Sequence, residues 1–122
     1  LTLAEAEAGD VPERLRYTFL TPWFGLNQDN HRRYAQAGPE ERQALLDRVL
    51  AGNLLSLSKG LGLTVEGRLR VEGSLRPEPV RFKGGTVLGF TGTFSVNFLI
   101  PELMGLGKSV SRGFGAVGRL EK

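Results

Sequence analysis

The chain has 122 residues, no cysteine, one histidine and a formal net charge of +3. That length suits one domain with a core of its own, and 40% hydrophobic with 24% charged residues is an ordinary globular balance. The absence of cysteine excludes disulfides and thiolate metal sites, and a single histidine argues against a histidine-based zinc centre.

No apolar run approaches the roughly 18 residues a membrane span needs, so no membrane partner is expected. Neither a metal nor another cofactor is expected, and the missing cysteines point to a reducing, cytoplasmic setting. The first residue is Leu1 and the only methionine is Met104, so the chain reads as a piece of something longer, with no signal peptide. Charge is unevenly spread: residues 1–47 carry five Arg/Lys against eight Asp/Glu, whereas residues 48–122 carry eleven against five. A basic C-terminal part and a pI near 9.7 suit a partner with a phosphate backbone, although a solvated basic face would look the same.

Residues 1–12, with Glu5, Glu7, Asp10 and Pro12, read as a lead-in or linker, and residues 13–122 as one domain. From Arg14, the apolar Leu15, Tyr17 and Phe19 alternate with Arg14, Arg16 and Thr18, a strand with one buried face that ends near Pro22. Residues 23–38 form a polar connection. Pro39, Glu40 and Glu41 open a helix, Leu45, Leu46, Val49, Leu50, Leu54, Leu57 and Leu61 recur at helical spacing, and Lys59 and Gly60 close it. Residues 64–72 alternate again as a strand, residues 76–79 break it, 80–83 are a short stub and 86–97 a longer strand. Asn97 could cap a short helix disturbed by Pro101, and Phe114, Ala116 and Leu120 line one side of a last strand. The order is strand, helix, strand, strand, helix, strand: a ferredoxin-like α+β sandwich with a four-stranded antiparallel sheet and helices on one face.

Between the second helix and the last strand lies GLGKSVSRGFGAVG, residues 105–118. Gly107-Lys108-Ser109 resembles the end of a P-loop, but Glu102 stands where the first glycine belongs and no long helix can follow. A dinucleotide fingerprint fails because Val110 stands where the third glycine belongs. Glycines at 105, 107, 113 and 115 can let backbone N–H groups approach an anion, while Lys108 and Arg112 add charge and Ser109 and Ser111 add hydroxyl donors. That chemistry suits a polyanion; the alternative is a turn that needs glycine only for positive φ.

Three features together, the element order, GNLLSLSKGLG at the end of the long helix and IPELMGLGKSVSRGFG from residue 100, resemble the C-terminal domain of the CRISPR-associated repeat-processing endoribonucleases of the RAMP superfamily. The glycine signature matches at Gly105, Gly107, Gly113 and Gly115, and PWFGLNQDNHRRY before the long helix adds to the likeness, which covers about residues 13–120. The resemblance implies a two-domain protein that binds CRISPR repeat RNA and cuts it without metal, leaving a 2′,3′-cyclic phosphate and a 5′-OH. It implies that a missing N-terminal domain of the same protein supplies the usual catalytic histidine. The other reading is a noncatalytic RAMP subunit that binds guide RNA within a CRISPR effector complex, and a homodimer is a further possible partner.

His31 is the sole histidine, so any imidazole acid or base in this chain falls to it, with Tyr34, Arg32 and Arg33 close by in sequence. Lys59 and Lys108 are candidate phosphate cations. Arg68 and Arg70 share the polar face of the strand expected over residues 64–72 and could follow an RNA backbone, or pair with Glu66, Glu72 and Glu78. Trp23, Phe24 and Tyr34 could stack on unpaired bases, but Trp23 and Phe24, beside a strand end, are expected in the core. Phe114 is expected to anchor the loop.

Overall fold

The computed structural model describes residues 9–65, 67–101 and 104–120, with side chains from Arg14 onward. Four strands, β1 Gly9–Phe19, β2 Val71–Phe82, β3 Gly85–Leu99 and β4 Val117–Arg119, accompany two helices, α1 Gln28–Gln36 and α2 Pro39–Gly60. They form one antiparallel sheet in the order β2-β3-β1-β4, the expected ferredoxin-like arrangement. Leu15, Tyr17 and Phe19 of β1 face the same way as Phe90, Phe94, Val96 and Phe98 of β3, and α2 covers that face with Leu45, Leu46, Leu50 and Leu54. The helix runs where its leucine spacing and Pro39 placed it.

The connection between β1 and α2 is not a plain loop. Asn27 caps α1 by accepting from the Asn30 N–H at 2.8 Å, and Asp29 in the first turn pairs with Arg32 and Arg33 at 3.4 and 3.3 Å. Arg42 of α2 closes the other end, donating to the carbonyls of Tyr34 and Ala35 with its guanidinium 4.7 Å from the Tyr34 ring centroid.

Three other expectations need correction. β1 starts at Gly9 rather than Arg14, and the part of the proposed lead-in before Gly9 lies outside the described residues. The second strand begins at Val71, not at residue 64, and runs unbroken through Pro77 and Pro79 to Phe82. It lies at the sheet edge, where proline can sit because its missing N–H faces no partner strand. Lys83 and Gly84, both at positive φ, turn it directly into β3 as a two-residue hairpin. The short helix expected from Asn97 does not form among the described residues: β3 continues to Leu99, and a 3-10 turn at Val110–Arg112 stands inside the glycine loop. Asn97 spends its amide on the Arg70 N–H and the Arg68 carbonyl at 2.7 and 3.1 Å, so it pins the entry to β2 and caps no helix.

Trp23 ties these parts together. It is fully buried, as expected, and exchanges two backbone hydrogen bonds with Phe90 of β3 at 2.8 and 2.9 Å. Its ring stacks on Phe19 with centroids 5.5 Å apart, and its indole N–H donates to Asn53 Oδ1 of α2 at 2.8 Å. Gly107 seals the remaining side. A Cβ there would stand 2.7 Å from both Trp23 Nε1 and the Phe24 carbonyl oxygen, and φ is +85°.

Two outcomes follow. Gly107→Ala should lower stability by about 3 kcal/mol, combining a left-handed backbone with steric overlap, whereas Gly113→Ala, at φ +92° with open space around it, should lower it by about 1 kcal/mol. Urea midpoints compare them, and equal losses would contradict the packing account. The second concerns Asp47, which accepts from the Gly73 N–H of β2 at 3.0 Å. Burial raises its carboxyl above the ordinary carboxylate value, the Gly73 bond opposes this and the nearby Glu72 charge adds to it. The folded chain therefore holds that proton more tightly than the unfolded chain, so Asp47 loses stabilising effect as pH rises through the window between the two values. Asp47→Asn should gain stability relative to the parent as pH rises from the ordinary carboxylate value, read from paired urea titrations; a relative loss over that rise would contradict it.

Candidate nucleic-acid interface

The segment after β1 and the glycine loop are laced together by backbone bonds. Leu20 N–H donates to the Ala116 carbonyl at 2.7 Å, Gly115 N–H to the Pro22 carbonyl at 2.8 Å and Lys108 N–H to the Phe24 carbonyl at 2.9 Å. The Thr21 hydroxyl donates to the Gly113 carbonyl at 2.6 Å and accepts from the Ala116 N–H at 3.0 Å. Below the lacing, Phe114 stacks on Phe24 with centroids 4.4 Å apart and meets Phe82 edge-on at 5.2 Å, so it does anchor the loop, in an aromatic trio beside the main core.

Most of the signature glycines serve this internal packing. A side chain at Gly105 would overlap Val110, one at Gly115 would overlap the Leu106 carbonyl, and Gly107 is closed by Trp23. The loop is a fixed platform rather than a flexible strap, and its cations stand on the outside. Lys108 is exposed and its ammonium donates to the Leu26 carbonyl at 3.1 Å. Arg112 is exposed, with its guanidinium 5.7 Å from the Phe82 ring centroid, and Lys83 of the β2–β3 turn approaches the same ring at 5.3 Å. Ser109 has φ +59° and starts the 3-10 turn that carries Ser111. Among the described residues, the N–H groups of Ser109, Val110 and Ser111 have no acceptor.

The structure brings His31 to this loop. His31 and Arg32, exposed on the first turns of α1, line an open depression of about 430 Å³ together with Leu26, Asn27, Gln28 and Lys108. Tyr34 does not share it: its ring is buried edge-on against Phe90, 5.3 Å between centroids, and under Arg42. Trp23 and Phe24 are likewise core residues, so none of these three aromatics is free to stack on a base. Lys59 is exposed in the last turn of α2, three residues beyond Ser56, whose face looks toward Gly107 and Lys108.

Arg68 and Arg70 go elsewhere. They are exposed in the non-strand stretch that Asn97 holds, near the end of β3 away from Phe90. At the usual strand rise of about 3.3 Å per residue, that is roughly 20 Å along β3 from the loop's anchor. Glu72, one of their suggested partners, pairs instead with Arg14. Sequence reasoning passed over Gln28, although Asn27 followed by Asp29 is a readable helix start that would have placed it on an exposed first turn. Among the described residues no cluster of three or more His, Cys, Asp or Glu could hold a metal ion, and no helix is long and apolar enough to cross a membrane.

Comparison with known proteins is consistent across sequence and structure. A family model for the Cas6b C-terminal domain matches residues 11–120. An uncharacterized protein of Methanocaldococcus jannaschii is 42% identical over 118 residues, 95% of this chain and 80% of its own. A crystal structure of Cas6b superposes with a TM-score of 0.89 at 44% identity, covering 93% of this chain and 66% of that one. A crystal structure described as the CRISPR RNA processing endoribonuclease Cas6b gives a TM-score of 0.90 at 44% identity, covering 93% and 58%. The chain thus spans about three-fifths to two-thirds of the solved proteins it matches. With the sheet order, the glycine loop and these likenesses in agreement, this chain belongs to the Cas6b family, in which it corresponds to the C-terminal domain.

Proposed function

We propose that the chain is the RNA-holding C-terminal half of a CRISPR RNA processing endoribonuclease, and that the glycine-rich loop holds the phosphate backbone of the repeat. The observation that carries this reading is the depression in which Lys108 of the loop meets His31 and Arg32 of α1. Three nitrogen donors on one open surface, beside the unengaged N–H groups of residues 109–111, suit phosphate oxygens. Arg112, held over Phe82, extends the cationic edge toward Lys83.

In the reaction so assigned, the RNA 2′-OH loses its proton to a base and its oxygen attacks the adjacent phosphorus. The bond to the 5′ oxygen breaks, that oxygen takes a proton, and the products carry a 2′,3′-cyclic phosphate and a 5′-OH. No metal is required by this bookkeeping; it needs a base, an acid and cations for the charge that develops on the phosphate. Lys108 and Arg112 supply charge and fix the backbone. The base and acid belong mainly to the part of the protein beyond this chain. His31, exposed beside Lys108, acts first as a phosphate donor here, and Tyr34 supports α1 from the core.

The double variant Lys108→Ala with Arg112→Ala, made in the full-length protein, should weaken binding of labelled repeat RNA. Two lost phosphate contacts should flatten the salt dependence of log K by about 1.4. A filter-binding titration at several salt concentrations measures both, and unchanged affinity and slope would remove the loop from RNA binding. Run with EDTA present, full-length protein should cut the repeat while the 122-residue chain binds without cutting; cleavage by the short chain alone would restore His31 as an acid or base.

A further inference from the structure

A second depression adjoins the one that holds His31 and Arg32. It measures about 380 Å³, is lined by Gly25, Asn53, Ser56, Leu57 and Gly107 among others, and Lys108 forms part of both walls. Each is within the size range of small-ligand sites, about 300 to 1,000 Å³. Among the described residues, neither is lined by a carboxylate. The nearest one on α1, Asp29, is engaged with Arg32 and Arg33. Lys108 is fixed between the two depressions at both ends, by its N–H on the Phe24 carbonyl and its ammonium on the Leu26 carbonyl.

Asn53 is oriented too. Its Oδ1 is taken by the Trp23 indole N–H, which leaves its amide NH₂ as the outward group beside the Ser56 hydroxyl. On the other side of Lys108, Gln28 offers an amide and Leu26 an apolar wall. Each depression therefore combines amide or hydroxyl groups able to meet a base edge with apolar surface, and the two share one cation.

Building on the RNA-holding reading above, we propose that these depressions hold two successive unpaired nucleotides of the RNA, with the Lys108 ammonium on the phosphate that joins them. Gln28 and Arg32 contact the nucleotide on the α1 side, and Asn53 and Ser56 the one on the α2 side. Single-stranded RNA recognition works through such splayed nucleotides, with base edges read by amides and hydroxyls. The loop thereby selects an unpaired step in the repeat and does not merely attract its charge.

The test uses full-length protein and a repeat RNA series in which one phosphate at a time is replaced by an uncharged methylphosphonate. The parent should lose about tenfold in affinity at one linkage in an unpaired segment, roughly the effect of one charge-assisted hydrogen bond. Lys108→Ala should show no further loss at that linkage, and Arg32→Ala and Ser56→Ala should each weaken binding of the unmodified RNA about threefold to tenfold. Asn53 is left intact because it also holds Trp23. If Lys108→Ala weakens binding while Arg32→Ala and Ser56→Ala stay within twofold of the parent, the two-nucleotide site is wrong and the loop reading survives. If no linkage stands out, or if the tender linkage lies in a paired segment, the site is likewise overturned. Absence of RNA binding by the parent would overturn both readings.

Discussion

Burial of one indole ring governs this fold. Trp23 must leave water, and its N–H must find a partner when it does. Both demands are met only if four separate pieces of chain arrive together: the end of β1 through Phe19, β3 through Phe90, α2 through Asn53, and the loop through Gly107. Because the indole is ringed by these parts, the loop is built into the domain and has little freedom to swing. A loop with several glycines would otherwise pay a large conformational cost on meeting a ligand.

This arrangement changes what the glycines mean. Absence of a side chain at positions 105, 107 and 115 matters to Val110, to Trp23 and to the Leu106 carbonyl, all inside the protein. The outward-facing groups are neighbours that the glycines permit to project: Lys108 across two depressions, Arg112 over Phe82, and the open turn between them. A rigid platform with exposed cations gains affinity by having paid its ordering cost in folding. The same logic explains Tyr17, a buried phenol whose hydroxyl accepts from the Ile100 N–H at 2.8 Å and donates to the Phe98 carbonyl at 3.3 Å, fixing the start of the chain that leads into the loop. Burial raises the pKa of that phenol, against the opposing effects of the Ile100 bond and Arg119.

Much of the architecture was legible in period and punctuation. The two-residue alternation at Leu15, Tyr17 and Phe19 and the leucine spacing from Leu45 to Leu54 named the faces that pack, and those residues do line the core. Local signals failed where tertiary contacts overruled them. Pro77 and Pro79 look like a break until β2 is known to be an edge strand, and Asn97 looks like a cap until its amide is seen bridging to Arg68 and Arg70. The signature loop carries Lys108 and Arg112 on an exposed surface. Its partner surface on α1 was hidden because nothing in a linear reading places His31 and Arg32 beside a lysine more than seventy residues away. The strand expected at Arg68 and Arg70 failed for the complementary reason: alternation in sequence suggested a strand face, whereas the segment lies before β2 and is held at the far end of β3.

The most direct measurement is hydrogen–deuterium exchange of the full-length protein with and without repeat RNA, followed peptide by peptide. The account predicts that RNA slows exchange in residues 105–113 and 26–32 together, since both border Lys108, with little change around residues 68–72. Protection confined to residues 68–83, with the glycine loop and α1 exchanging as before, would contradict the central claim that the platform built on Trp23 is where this domain holds RNA.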